Sequence, residues 1–331
     1  MASSGELHWP VIGHEWAVEH LARAIRHGRM RHAYLITGAS QIGKTTLARA
    51  FAMAINCTGD SPPCGQCRAC QLIAKDGHPD VALVEAAQEG GTLKIDQVRD
   101  LQQFLALRPY EARYRVAILL RFHEANPAAA NALLKTLEEP SPDAVLILTA
   151  DSADQLLPTI VSRCQPLHLR PLPIDAVRAA LERHWNAAPD QAQTLAQLSV
   201  GRIGWAIEAL ENPETLAQRH FALDTLEAAL RGNRRARFAL VESLPADKQT
   251  LLPLLETWQS FWRDVLILAG GSRSPITNQD RAASLHDLAQ GAGLDAAQLA
   301  LLATRRTIDF LGKNVNARLA LEVLLLDYPG L

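Results

Sequence analysis

The sequence predicts a parallel α/β domain in its first half followed by two helical regions, and three observations predict it. Short apolar runs alternate with helical stretches over the first 170 residues, a glycine-rich loop joins one such run to one such stretch, and beyond a proline cluster the spacing is helical throughout. The runs are residues 33–37 (AYLIT), 81–84 (VALV), 115–120 (RVAILL) and 145–149 (VLILT). Their Val, Ile and Leu content suits strands covered on both faces. Helices are expected at 44–56, about 94–107 and 127–138.

Pro166, Pro171 and Pro173 punctuate the chain after the last strand, and Asn212-Pro213 marks a second boundary. The expected domains are therefore 1–170, 171–213 and 214–331. Segments such as VRAALERHW and TLAQLSV space their apolar residues by three and four, and the last region carries Trp258, Phe261 and Trp262.

With 331 residues the chain exceeds one comfortable core. It is 48% apolar and 21% charged, with a net charge of -2, which argues against a protein that grips nucleic acid alone through a basic surplus. No run approaches the ~20 apolar residues of a membrane span. The opening MASSGELHWP lacks a charged-then-apolar leader, so a cytoplasmic, membrane-free protein is expected.

The sharpest motif is Gly38-Ala39-Ser40-Gln41-Ile42-Gly43-Lys44-Thr45-Thr46, set between strand 33–37 and helix 44–56. Such a loop turns successive backbone N–H groups around phosphate oxygens. Its lysine (Lys44) adds charge for the β- and γ-phosphates, and its threonine (Thr45) offers a hydroxyl to Mg²⁺. This is a P-loop NTPase pattern. Hydrolysis also needs acids at the end of a neighbouring strand. Where an Asp-Glu pair is expected after RVAIL stand Leu120 and Arg121, and Glu124 lies out of register. Asp80 and Asp151 are the other acids in question, but Asp80 precedes its strand and Asp151 follows the strand that carries a polar sensor.

Four cysteines, Cys57, Cys64, Cys67 and Cys70, fall within fourteen residues, and Cys164 stands apart. Closely spaced thiolates converge readily on Zn²⁺, and four of them leave no open position, so a structural zinc is expected. A redox pair at Cys64-x-x-Cys67 is the rival reading, weakened by the two further cysteines. Cys164 is expected to pack as a small apolar group.

The segment Asn131–Pro140 (NALLKTLEEP) resembles the signature helix of the bacterial DNA polymerase III clamp-loader family, an AAA+ family. Val11-Ile12-Gly13-His14-Glu15 resembles its adenine-pocket segment, Arg31–Leu35 its lead into the P-loop, and Ser162-Arg163-Cys164 its SRC motif. The likeness covers about the first 170 residues, with a weaker match at Asn314–Leu325. It implies an AAA+ domain with a zinc module, a small helical lid and an all-α collar. It also implies nucleotide contacts at Val11, Ile12, Gly38, Gly43, Lys44, Thr45 and Thr46, and a sensor threonine at Thr149; an ordinary strand-end hydroxyl is an equal reading of Thr149.

The family's active gamma/tau branch carries the Asp-Glu pair and a sensor arginine three residues after a glycine. This chain has Leu120-Arg121 in one place and Gly204 in the other, with Arg202 nearby on another helix side. Both departures point to the branch that does not hydrolyse ATP. The complete loop would then hold ATP or ADP without turnover. Arg163 would reach across an interface to a neighbour's γ-phosphate, as the family's SRC arginine does. The implied partners are gamma/tau ATPase subunits, a delta subunit, a sliding clamp and primer–template DNA. The alternatives are a self-sufficient gamma/tau-type ATPase and a zinc-dependent nucleic-acid-binding module, although Arg68 is the only basic residue within 57–70. Lys94 and Arg99 are weaker DNA-contact candidates.

Overall fold

A computed structural model describes residues 9–87, 91–245, 247–311 and 315–329. The leader reading of residues 1–8, and Asn314 within the weaker C-terminal match, lie outside them. The chain divides into two compact units. One runs to Ala196 and includes Val200–Trp205; the other comprises Gln197–Ser199 and the chain from Ala206 onward.

The first unit follows the order α1 (Glu15–Arg26), β1 (Ala33–Thr37), α2 (Lys44–Asn56), α3 (Arg68–Ala74), β2 (Val81–Val84), α4 (Ile95–Ala106), β3 (Arg115–Leu119), α5 (Pro127–Glu138), β4 (Ala144–Ala150), α6 (Pro158–Val161) and β5 (Gln165–His168). The strands form one parallel sheet in the order β2-β3-β4-β1-β5. Alternate side chains of β1 to β4 enter different cores. Tyr34, Ile36, Val116, Ile118, Val145 and Ile147 pack with α1, α2 and α3. Ala33, Leu35, Ala117, Leu119, Leu146 and Leu148 pack with α4, α5 and α6. Both faces are covered, which is why the strands read as unbroken apolar runs.

Pro166, expected to punctuate the chain, instead lies within a fifth strand, Gln165–His168, beside Leu35 of β1. β5 lies at the sheet edge, where a missing N–H interrupts no second ladder.

Helices α7 (Ile174–Trp185), α8 (Pro189–Leu198) and α9 (Ile203–Glu211) follow. The second unit is all-α: α10 (Pro213–Arg231), α11 (Arg234–Ser243), α12 (Lys248–Ala269), α13 (Ala282–Leu311) and α14 (Ala317–Asp327). Trp258, Phe261 and Trp262 of α12 are fully buried at its centre. The indole N–H of Trp258 donates to the Ala222 carbonyl at 2.7 Å, so the ring enters the core without an unmet donor. Buried Arg237 donates to the carbonyls of Ala229, Leu325 and Tyr328 at 2.9, 2.6 and 2.8 Å, tying the ends of α10 and α14. α13 is broken at Gly293, whose φ of 77° only glycine adopts readily.

Candidate functional site

The loop between β1 and α2 lies at the carboxyl end of the sheet, where parallel α/β folds place ligands. Gly38 (φ 143°) and Gly43 (φ 110°) hold backbone conformations that disfavour a side chain, and a Cβ on Gly38 would meet the Leu169 carbonyl at 2.6 Å. The sequence motif is thus also a geometric one. Lys44 is buried at the start of α2 and its Nζ donates to the carbonyls of Gly38 (2.5 Å) and Ala39 (2.9 Å) and to Asp151 Oδ1 (2.7 Å). Thr45 is half-buried and Thr46 exposed on the next positions. Buried His14 brings the opening segment to the same loop, with Nε2 3.0 Å from the Ile42 carbonyl. Its neighbours Val11 and Ile12 are half-buried, and Val11 packs on the core shared by Trp9 and Phe51.

At the end of β3 the residues that replace the expected acids are structurally committed. Leu120 is buried. Arg121 adopts a left-handed backbone, φ 46°, and its N–H donates to Thr149 Oγ1 at 2.9 Å. Its guanidinium lies 3.0 Å from Glu85 and 3.1 Å from Glu124. Glu124 is therefore bound to a cation. Asp80 is fully buried and accepts the N–H groups of Tyr110, Glu111 and Ala112 at 2.7, 2.8 and 2.9 Å, with Arg115 at 3.4 Å. Burial opposes its charge, but those three N–H groups and Arg115 hold its carboxyl below the usual range. It fixes the 110–112 turn and is not placed at the phosphate loop. Asp151 is the acid beside Lys44.

Sequence reasoning missed His123. Its Nε2 lies 3.7 Å from Asp151 Oδ2, and its buried Nδ1 has no hydrogen-bond partner among the described residues. Burial lowers its pKa despite the nearby Asp151 and Glu124. It stands two residues from Arg121, and no spacing marks it.

Gly204 lies in the first turn of α9 and donates its N–H to the Gln41 carbonyl of the phosphate loop at 2.8 Å. A Cβ there would sit 2.7 Å from that same oxygen. The glycine at this position is therefore required by close backbone approach. The Arg202 guanidinium lies 6.0 Å from the Trp205 ring centre.

Arg163 follows the short α6. Its Nη2 donates to Glu138 Oε1 at 2.7 Å and its Nη1 to the Thr159 carbonyl at 2.8 Å, and the side chain remains 35% exposed. Cys164 is buried as expected, and burial pushes its thiol up to about 12.

Cys57, Cys64, Cys67 and Cys70 bring their sulfurs within 4.8 Å of one another, and all are free thiols. Sulfurs on one tetrahedral zinc at the usual ~2.3 Å bond length stand about 3.8 Å apart, so the donor set fits that metal with small adjustments. Backbone N–H groups of Gly59 and Cys64 point at Cys57 Sγ, and that of Cys67 at Cys64 Sγ, each at 3.3 Å. Such donors favour thiolates. Arg68, on the same segment, is exposed, 3.5 Å from Glu111. Lys94, which precedes the first turn of α4, and Arg99 within that helix are exposed, with Arg99 3.4 Å from Asp96. Among the described residues no helix is long and apolar enough to cross a membrane.

Residues 13–173 match a family described as DNA polymerase III, delta subunit, and residues 213–329 match the C-terminal part of a family with the same description. The chain is 33% identical to DNA polymerase III subunit delta' of Pseudomonas aeruginosa, over 91% of this chain and 92% of that protein. It is 29% identical to subunit delta' of Bacillus subtilis, over 92% of this chain and 93% of that one. Subunit tau of Escherichia coli is 36% identical, but over 58% of this chain and 31% of its own length.

Proposed function

Because this chain belongs to the delta-prime family of DNA polymerase III subunits, we propose that it serves in a clamp loader as a fixed subunit that hydrolyses no ATP and completes a neighbour's ATPase site. The observation that carries this reading is the end of β3, where Leu120 is buried and Arg121 engages both Glu85 and Glu124. Among the described residues, the carboxylates at that strand end, Glu85 and Glu124, are paired with Arg121 and so compete poorly for Mg²⁺ or the attacking water.

Arg163 is the residue assigned to the neighbour. A guanidinium against the γ-phosphate stabilises charge on the transferring group, and such fingers are worth on the order of 10³–10⁵ in rate. Its planar fork matches phosphate oxygens. The partners on this reading are gamma/tau ATPase subunits, a delta subunit, the sliding clamp and primer–template DNA, in the cytoplasm. Residues 1–170 form the AAA+ domain, 171–213 the lid and 214–331 the collar that joins the ring.

ATP or ADP is proposed to rest on Gly38–Thr46 without turnover, with Val11, Ile12 and Thr149 on its borders. A phosphate must compete with the three acceptors that Lys44 already has, so weak affinity is expected. Zinc is proposed at Cys57, Cys64, Cys67 and Cys70, where it would supply cross-linking energy and no catalysis.

The test is ATP hydrolysis by the reconstituted loader with clamp and primed DNA. The reading expects a silent isolated subunit and a fall of at least about tenfold with Arg163→Ala while the loader stays assembled. Turnover by the isolated chain would sink it.

A further inference from the structure

We infer that Glu138 is a positioning residue for the guanidinium of Arg163, an inference that rests on the trans-acting role proposed above. The side chain is held at both ends. At its base, the Arg163 N–H donates to the Ile160 carbonyl at 3.1 Å, the Cys164 N–H to the Val161 carbonyl at 3.2 Å, and Cys164 itself is buried. The finger therefore springs from a turn anchored in the core. At its tip, Nη2 meets Glu138 Oε1 at 2.7 Å and Nη1 meets the Thr159 carbonyl at 2.8 Å. The Thr159 carbonyl also accepts the Ser162 hydroxyl at 3.2 Å, which fixes that acceptor in turn.

A guanidinium has five N–H donors in one plane. Two are engaged here, so three remain for a phosphate without release of Glu138. Glu138 closes α5, the helix that ends in the LEEP segment, and thereby couples the direction of Arg163 to a second helix of the same core. An unrestrained arginine loses much rotamer freedom when it docks. One already fixed by two acceptors loses less, and the difference appears only where the phosphoryl charge develops. The effect belongs to kcat rather than to KM for ATP.

Glu138 is 52% exposed and its pair with Arg163 lies at the surface, so substitutions there leave the fold standing. The experiment is steady-state ATP hydrolysis by the reconstituted loader with clamp and primed DNA, using Glu138→Ala, Glu138→Gln, Arg163→Ala and the double variant, each verified for assembly by gel filtration. Glu138→Ala is expected to lower kcat about three- to tenfold with KM for ATP within about twofold. Glu138→Gln keeps an oxygen for Nη2 and should fall between it and wild type. The double variant should match Arg163→Ala alone, because Glu138 acts through that side chain. An additive loss in the double variant, or an unchanged or raised kcat with Glu138→Ala, overturns the inference while leaving the role of Arg163 intact. An unchanged rate with Arg163→Ala overturns both.

Discussion

Gly204→Ala reverses the sign that helix propensity assigns to it. An ordinary Gly→Ala change inside a helix stabilises by about 1 kcal/mol. Here the new Cβ meets the Gln41 carbonyl oxygen at 2.7 Å and the Gln41 Cβ at 3.2 Å. The obstacle is backbone, in a loop whose Gln41 already sits at φ 58°, so it yields less readily than a flexible side chain. Overpacking of this kind costs about 1–3 kcal/mol. Displacing the helix also weakens the 2.8 Å bond from the Gly204 N–H to Gln41, worth about 1 kcal/mol. After the propensity gain, a net loss of about 1–3 kcal/mol remains. Gly291→Ala in α13 is the matched control, since nothing lies within 4 Å of its added Cβ, and it should gain about 0.5–1 kcal/mol. Urea titrations followed by far-ultraviolet circular dichroism read both, with m near 1–3 kcal/mol/M converting these energies into midpoint shifts of opposite direction. Gly204→Ala as stable as wild type would refute the close approach. On the close-approach reading Gly204→Arg, the residue that the resemblance implies for the gamma/tau branch, should lose stability as well and gain no hydrolysis.

Asp80 makes stability depend on acid. Its folded pKa lies below the unfolded value of ~3.9, so its contribution is present above that pH and is lost as pH falls through the folded pKa. Asp80→Asn should therefore be less stable than wild type at pH 7, with the gap narrowing below about pH 4 in denaturation series. Arg237→Ala strands buried carbonyls at Ala229, Leu325 and Tyr328 and should cost about 3–5 kcal/mol in chemical unfolding. For the cysteines, elemental analysis should find one zinc per chain. Chelation or Cys70→Ser should open residues 57–70 to protease while the parallel sheet persists.

Much of the fold was legible because its signals are local. β1 to β4 are apolar runs, and the phosphate loop is a contiguous motif whose glycines are needed where they stand. β5 was not legible, since only Leu167 of its four residues is buried and its proline argues for a break. An edge strand takes its definition from the neighbour it pairs with. The site divides in the same way. Leu120, Arg121 and the cysteine spacing could be read directly, whereas the fixing of Arg163 by Glu138 joins residues 25 apart and that of Lys44 by Asp151 joins residues 107 apart. Asp80 was set aside because it precedes its strand, and its three backbone donors supply the structural role that spacing could not show. Gly204 read as a missing arginine, and only the geometry gives it a positive reason.

The ion pairs of Arg121 also bear on which sequences can be reached from this one. Glutamate at position 121 would remove the cation between Glu85 and Glu124 and set a third negative charge among them. Aspartate at position 120 would bury a carboxylate where Leu120 now packs. Either step alone leaves the chain worse folded. A side chain at 204 has no room until α9 and Gln41 of the phosphate loop move apart. If the subunit hydrolyses no ATP, as proposed, that state is walled off on several sides by packing, and single substitutions act as a ratchet that keeps it there.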